Sequence, residues 1–282
     1  MPDHRRYPAY AGSQLPHVGT YRRVLPVSLE RLYENALDWQ HLPFVHSSSF
    51  TSIDCEDAGP WGWRAATTTG SGQRLLLELR LDRECRRWIT RTLADGNAGR
   101  EVWTHAFEVS PRRTDIVVDF FVPGVAAADR DRLGAAFSRI YEQLYDEDVA
   151  MMVERQSQLD KRIDGGRMRE PVCLGAVDAL SLPLKAEFGG RTYIVTMVGG
   201  ELLAHIARCP HQLGPLDASL DGSVRCPWHG YRFDVKTGAC LSGHVYRLPK
   251  APDVVTRDGR VWLELQLELE PARAVRHSTH EN

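Results

Sequence analysis

The sequence has no run of apolar residues that approaches the ~20 needed to span a bilayer. The arginines near the N-terminus are followed by no apolar segment, so neither a secretory signal nor a twin-arginine signal is predicted. These two absences lead us to expect a cytoplasmic protein that does not associate with a membrane.

An excess of charge of one sign is also absent. The formal net charge is −2 and there is no long basic run, so we expect neither nucleic acid nor an anionic membrane surface as a partner. A glycine-rich nucleotide fingerprint after a strand is missing as well. Any nicotinamide or flavin cofactor would therefore have to bind a separate protein.

Cysteine is scarce, since six cysteines in 282 residues are too few for a disulfide scaffold. What the sequence does have is a hydrophobic fraction of 43% and a charged fraction of 26%, which are typical of a soluble globular protein. The length allows one large domain or two ordinary domains, each with its own core.

The first part of the chain, residues 20–160, is predicted to be an α+β domain. A helix is expected from Ser28, a typical N-cap residue, to His46, because apolar residues recur there at helical spacing. Five runs of alternating apolar residues follow and predict an antiparallel sheet. A second long helix is predicted over about residues 126–160, which places the helices on one face of the sheet.

The second part, residues 171–269, is predicted to be a small all-β domain because short strand patterns alternate with turn signals there. Residues 161–170 are charged and contain two adjacent glycines, which predicts a linker between the two domains. Residues 270–282 are predicted to form a flexible tail.

Two mixed pairs of metal-binding residues lie close together in the second part: Cys209 with His211, and Cys226 with His229. Two cysteines and two histidines can bind zinc, but structural zinc sites usually pair cysteine with cysteine and histidine with histidine. Mixed pairs suit two irons of unlike ligation, one held by both thiolates and the other by both imidazoles, as in a Rieske [2Fe–2S] cluster. Zinc is the alternative.

The segments CPHQLGPL and CPWHGYRFDVKTG resemble the two cluster-binding loops of the Rieske family almost residue for residue. The resemblance implies a [2Fe–2S] cluster bound by Cys209, His211, Cys226 and His229. The loop of 14 residues between His211 and Cys226 is slightly shorter than the family leads us to expect.

The first domain contains a second set of metal-binding residue types. The segment ENALDWQHLPFVH places Asn35, Asp38 and His41 at intervals of three residues, so they are predicted to share one face of a helix. Pro43 is expected to break or bend that helix and to re-aim His46. Two histidines and one carboxylate form the facial triad of non-haem Fe(II) oxygenases.

This segment is similar to the motif E-N-x-x-D-x-x-H-x4-H in the catalytic domain of Rieske non-haem iron oxygenases. The resemblance implies a mononuclear Fe(II) bound by His41, His46 and, from the segment YDEDVAMMVERQ, Asp148. Asp146 and Glu147 are adjacent acids, and any of these three carboxylates would also suit a solvated helix face.

The resemblance also implies a route for electrons. Asp38, supported by Asn35, would connect a cluster histidine, either His211 or His229, to His41. The implied fold class is α+β, with a helix-grip-like antiparallel sheet and long helices before an all-β Rieske domain. The domain order is reversed relative to the usual oxygenase subunit, and the catalytic part is shorter than usual.

The activity implied is that of a terminal oxygenase component. It would hydroxylate or oxidatively demethylate a small organic substrate with O₂, using electrons from an NAD(P)H-dependent reductase with or without a ferredoxin. A homo-oligomer, by default a trimeric ring, is expected. The substrate, and whether electrons pass within or between chains, stay open.

The short first domain favours a different class of function as the alternative. In that case the chain is a Rieske ferredoxin-like electron carrier fused to a ligand-binding helix-grip domain without catalytic iron. His105, in an alternating strand, is expected to be either structural or pocket-lining.

Overall fold

The structure, a computed structural model, describes residues 13–94, 98–161, 170–217 and 221–265. The described residues divide into two compact units. The first holds residues 13–161 together with the loops His211–Pro215 and Cys226–Tyr231. The second holds the remaining described residues. No helix in these ranges is long and apolar enough to cross a membrane.

The first unit is built on one antiparallel sheet of seven strands, in the order β1-β7-β6-β5-β4-β3-β2. The strands are β1 His17–Leu25, β2 Phe50–Gly59, β3 Gly62–Thr69, β4 Arg74–Asp82, β5 Arg87–Ala94, β6 Glu101–Ser110 and β7 Arg113–Phe121. The five predicted strands correspond to β3–β7. Strands β1 and β2 were not predicted.

The predicted helix from Ser28 to His46 is wrong as one continuous element. Helix α1 spans Leu29–Leu37, and the Ser28 side chain caps it as predicted, by accepting a hydrogen bond from the backbone N–H of Arg31. The chain leaves helical geometry at Asp38, where φ is −87° and ψ is 82°. A short 3₁₀ turn, Trp39–His41, and helix α2, Leu42–Val45, follow.

The break therefore comes before Pro43 and not at it. Pro43 lies in the first turn of α2, where its missing N–H leaves no hydrogen bond unmade. Asn35, Asp38 and His41 consequently do not share one face of a helix, as the spacing predicted, since each belongs to a different local conformation.

The predicted second long helix is confirmed as α3, Arg130–Asp160, preceded by a 3₁₀ turn at Ala127–Asp129. It packs against one face of the sheet, and the main core lies between them. Buried core residues from the helix and the sheet include Tyr145, Met152, Leu77, Val118 and Phe120. Close backbone contact between Gly134 of α3 and Gly19 of β1 lets the helix approach the sheet edge.

The second unit is all-β, as predicted. Its strands are β8 Val172–Ala176, β9 Leu184–Phe188, β10 Arg191–Val198, β11 Glu201–Ile206, β12 Ser223–Arg225, β13 Arg232–Asp234, β14 Asp253–Arg257 and β15 Arg260–Glu264. They form sheets in the orders β11-β10-β9, β12-β13 and β14-β15-β8.

The predicted fold class is thus confirmed, because a seven-stranded sheet holding a long helix on one face is a helix-grip arrangement. Residues 162–169 of the predicted linker and the whole predicted tail, 270–282, lie outside the described residues.

We expect Gly134→Ala to destabilise the protein, although alanine is the better helix former by about 1 kcal/mol. An alanine Cβ at this position would clash with the carbonyl oxygen of Val18, so the helix would have to move away from β1, at a cost of about 1–3 kcal/mol. The measurement is the free energy of unfolding in urea. Ala135→Gly on the exposed face of the same turn gives the propensity term alone. A Gly134→Ala protein more stable than wild type would contradict the packing argument.

Candidate metal centre

Three buried side chains that can bind a metal converge inside the first unit. Nε2 of His41 lies 3.3 Å from Oδ1 of Asp148, and Nε2 of His46 lies 3.0 Å from the same oxygen. One potential ligand atom from each residue lies within 4.8 Å of the others. His41 ends the 3₁₀ turn, His46 caps the end of α2, and Asp148 lies well inside α3.

The break at Asp38 explains how two histidines five positions apart face one carboxylate. The 3₁₀ turn and the short helix α2 replace the continuous helix, and His46 leaves α2 with φ −104° and ψ 42°. The two imidazole rings are consequently 5.1 Å apart and steeply inclined, at 69° to each other. Both Nε2 atoms can then point at Asp148.

The donor set fits a mononuclear Fe(II). Two imidazole nitrogens and one carboxylate oxygen are the ligands of the facial triad, and a bound cation would balance the buried negative charge of Asp148. Asn35, predicted as a supporting residue, donates a hydrogen bond from Nδ2 to Oδ1 of Asp148 at 3.0 Å. The amide therefore orients the carboxylate that faces the histidines.

Glu147 has a place in the site that the sequence did not reveal. Its Oε2 lies 2.6 Å from Nδ1 of His46, and a carboxylate on the outer nitrogen fixes the ring so that the other nitrogen faces the metal. Gln143 donates from Nε2 to Oε1 of Glu147 at 3.1 Å and to the hydroxyl of Ser48 at 3.0 Å. Asp146, the other neighbouring acid, is exposed and pairs with Arg23.

Asp38 lies between His41 and a histidine of the Cys/His motif. Its Oδ2 is 2.7 Å from Nε2 of His229 and 3.8 Å from Nδ1 of His41. Gln212 donates a further hydrogen bond to the same oxygen, at 2.9 Å. Of the two histidines that the sequence left open, the structure places His229 against Asp38. All these residues belong to the first compact unit.

The loops that carry His211, Cys226 and His229 are tightly built. The two histidine rings are 4.5 Å apart at an interplanar angle of 74°, and Cys226 is buried. A side chain at Gly214 would lie 2.9 Å from the Cys226 sulfur, so the loop needs glycine there. Cys209 is buried in the second unit. Two thiols and two imidazoles are the donor set of a Rieske cluster, and the residues present fit that group.

Hydrogen bonds between acids and histidines set the charges of these side chains. Burial raises the pKa of Asp148, but hydrogen bonds from His41 and His46 outweigh it and hold that pKa well below its usual range. Burial likewise raises the pKa of Asp38, and the hydrogen bond to His229 with nearby imidazoles lowers it overall. Both carboxyl groups are therefore ionised.

The pKa values of two histidines in contact with these acids are raised. Burial lowers the pKa of His229, but the hydrogen bond to Asp38 and the interaction with Cys226 together raise it to about 9. Burial also lowers the pKa of His46, and hydrogen bonds to Asp148 and Glu147 raise it overall. Positive charge is thus favoured at both imidazoles, which is the charge that a bound metal ion would supply.

His105 does not take part in this site. Its neighbours on β6, Thr104 and Ala106, are buried on the face of the sheet that carries the core, so His105 lies on the opposite face. There it stacks on Phe107, with ring centroids 6.4 Å apart.

A model of the Rieske [2Fe–2S] domain matches residues 170–251, a range that includes all four predicted cluster ligands. No curated protein matches the chain.

Parts of the chain are similar to solved structures. Zhui aromatase/cyclase from Streptomyces sp. R1128 is 15% identical, with a TM-score of 0.42, over 51% of this chain and 96% of that one. Norcoclaurine synthase from Thalictrum flavum is 12% identical, with a TM-score of 0.38, over 48% of this chain and 85% of that one. The ferredoxin of carbazole 1,9a-dioxygenase from Nocardioides aromaticivorans IC177 is 27% identical, with a TM-score of 0.30, over 34% of this chain and 98% of that one.

The first domain has a helix-grip arrangement, and residues 170–251 form the Rieske [2Fe–2S] electron-transfer domain that follows it in this chain.

Proposed function

We propose that this chain is the terminal component of a Rieske-type oxygenase. The observation that carries the proposal is the position of Asp38. One buried carboxylate lies against His229 of the Rieske motif and faces His41 of the two-histidine, one-aspartate group. A ligand-binding domain without catalytic iron has no need of such a link.

In this proposal Cys209, His211, Cys226 and His229 hold the cluster, and a second set, His41, His46 and Asp148, holds Fe(II). When bound, the cluster supplies electrons one at a time and the Fe(II) activates O₂ for hydroxylation or oxidative demethylation of a small organic substrate. A separate NAD(P)H-dependent reductase, with or without a ferredoxin, delivers the electrons.

The chain's own residues orient and shield the site. Glu147 and Asn35 fix His46 and Asp148 through hydrogen bonds, and the burial of all three ligands keeps bulk water out. Asp38 joins the two ligand sets through its oxygen Oδ2. Because both of its histidine neighbours come from the same chain, we propose that electrons pass within one chain. A ring of subunits is then not needed for the path.

Iron and acid-labile sulfide per chain test the ligand assignment. Anaerobically purified protein should contain about three irons and two sulfides, from one cluster and one mononuclear ion. His41→Ala should lose one iron and all turnover while the cluster spectrum persists. His105→Ala, on the opposite face of the sheet, is the matched control and should keep all three. A content of only two irons per chain in the wild-type protein would contradict the assignment of a mononuclear iron site.

Asp38→Asn tests the link between the two sites. The amide keeps the size of the side chain but removes the negative charge that faces both imidazoles, so we expect electron transfer to slow by about 10- to 100-fold. The measurement is the rate at which the reduced cluster is reoxidised by O₂ in a stopped-flow spectrometer, with iron content checked in parallel. Asp146→Asn, at an exposed acid of α3, should leave the rate unchanged. An unaltered rate in Asp38→Asn would contradict the proposed route.

Glu147→Gln tests the support of His46. Loss of the carboxylate on Nδ1 should weaken iron binding by about 10- to 100-fold, because the imidazole is less basic and less firmly oriented. The affinity is measured by titrating Fe(II) into protein from which the mononuclear ion has been removed. Asp146→Asn again serves as the control. Equal affinities in the two variants would show that Glu147 does not support the ligand.

The second candidate function is a Rieske electron carrier joined to a ligand-binding helix-grip domain. The family match by itself fits this candidate, because it covers the Rieske domain, residues 170–251, and does not reach the candidate Fe(II) ligands. One structural observation also fits it: Oδ1 of Asp148 has Asn35, His41 and His46 as hydrogen-bonding neighbours, so side chains alone can compensate for burial of this carboxylate. A composition of two irons and two sulfides, unchanged by His41→Ala, would establish it.

A further inference from the structure

A small cavity borders the candidate metal centre on the inner face of the sheet. It has a volume of about 130 Å³ and is lined by residues of α1, α2, β2–β6 and α3, including His41, His46 and Asp148. Most of its wall is apolar, and the side chains that define it are Trp63, Leu77, Leu79, Trp88 and Leu144.

The charge of the lining limits what the cavity can accept. Apart from the three candidate ligands, no Lys, Arg, Asp or Glu is among its described lining residues. Its two tyrosines are neutral, since burial raises the pKa of Tyr141 to about 12 and that of Tyr145 well above its usual value. When a metal engages the three candidate ligands, a carboxylate, phosphate or ammonium group would lose its hydration here without gaining an ion pair from the rest of the wall.

The size of the cavity sets a second limit. An apolar cavity of about 150 Å³ takes up benzene, and a space of about 130 Å³ is similar in size, so it suits a single six-membered ring. The hydroxyl-bearing lining residues Thr90, Thr104 and Tyr141 allow one hydroxyl or carbonyl substituent on such a ring.

We propose that this cavity is the substrate site and that it takes an uncharged, largely apolar molecule of about one six-membered ring. The assignment of the cavity as a substrate site rests on the proposed oxygenase function. The size and charge of the molecule that it binds rest on the wall alone.

The test is equilibrium binding of toluene to the anaerobic holoprotein, measured by calorimetry without a reductase so that no turnover occurs. We expect one saturable site. Benzoate, which adds a charge, and naphthalene, which adds a fused ring, should bind at least about tenfold more weakly, since a tenfold difference is the expected effect of 1.4 kcal/mol.

A pair of variants on one strand locates the site. Leu77→Phe fills the cavity and should abolish toluene binding, whereas Leu76→Phe, on the other face of β4, should leave it intact. The visible spectrum of the cluster and the melting temperature establish that each variant is folded. Leu79→Phe, also in the cavity wall, replaces Leu77→Phe if that variant does not fold.

Toluene binding that is no tighter than that of benzoate or naphthalene, or that survives both cavity-filling substitutions, would overturn the proposal. These outcomes are separable from failure of the proposed function. Toluene binding that the cavity-filling variants abolish, in a protein with two irons and no turnover, upholds the cavity and removes the oxygenase. Turnover of a charged or two-ring substrate by protein that does not bind toluene would uphold the oxygenase and overturn the proposed size and charge of the substrate.

Discussion

The arrangement of both histidine groups depends on the contacts that the buried carboxylate of Asp38 makes with His229 and His41. The Asp38 side chain is 7% exposed, and burying a charge is costly unless hydrogen bonds compensate for the lost hydration. Gln212 and His229 provide that compensation on one oxygen. The carboxylate reaches them because α1 ends at Leu37. The end of this helix therefore determines where the Asp38 side chain lies.

Hydrogen bonds from α3 and β3 hold helix α1 in place behind the site. Arg155 on α3 donates two hydrogen bonds to Glu34 on α1, at 2.8 and 2.6 Å, and so ties the helix that carries Asn35 to the helix that carries Asp148. Trp63 of β3 donates to the backbone carbonyl of Ala36 at 2.9 Å. Helix α3 and the sheet therefore both hold α1 close to the residue where it ends.

The sequence was sufficient for the alternating strands and α3, because these follow from periodicity. It was sufficient for the residue types of both ligand sets because their motifs resemble those of a known family. It was misleading between Asp38 and Pro43, where tertiary contacts of Asp38 override local helical spacing. It could not single out Glu147, because adjacent positions on a helix point about 100° apart and only packing decides which one meets His46. Strand β1 was missed because its charged residues Arg22 and Arg23 obscure the alternation; both are paired with acids.

The loops His211–Pro215 and Cys226–Tyr231 are late in the sequence but belong to the first compact unit. The unit is therefore discontinuous along the chain, and cutting the chain after residue 161 would not divide it into two finished modules. A fragment ending there would keep the Asp38 carboxylate in its interior but lose both Gln212 and His229, its hydrogen-bonding neighbours. Residues far beyond position 161 are in that sense part of the first unit.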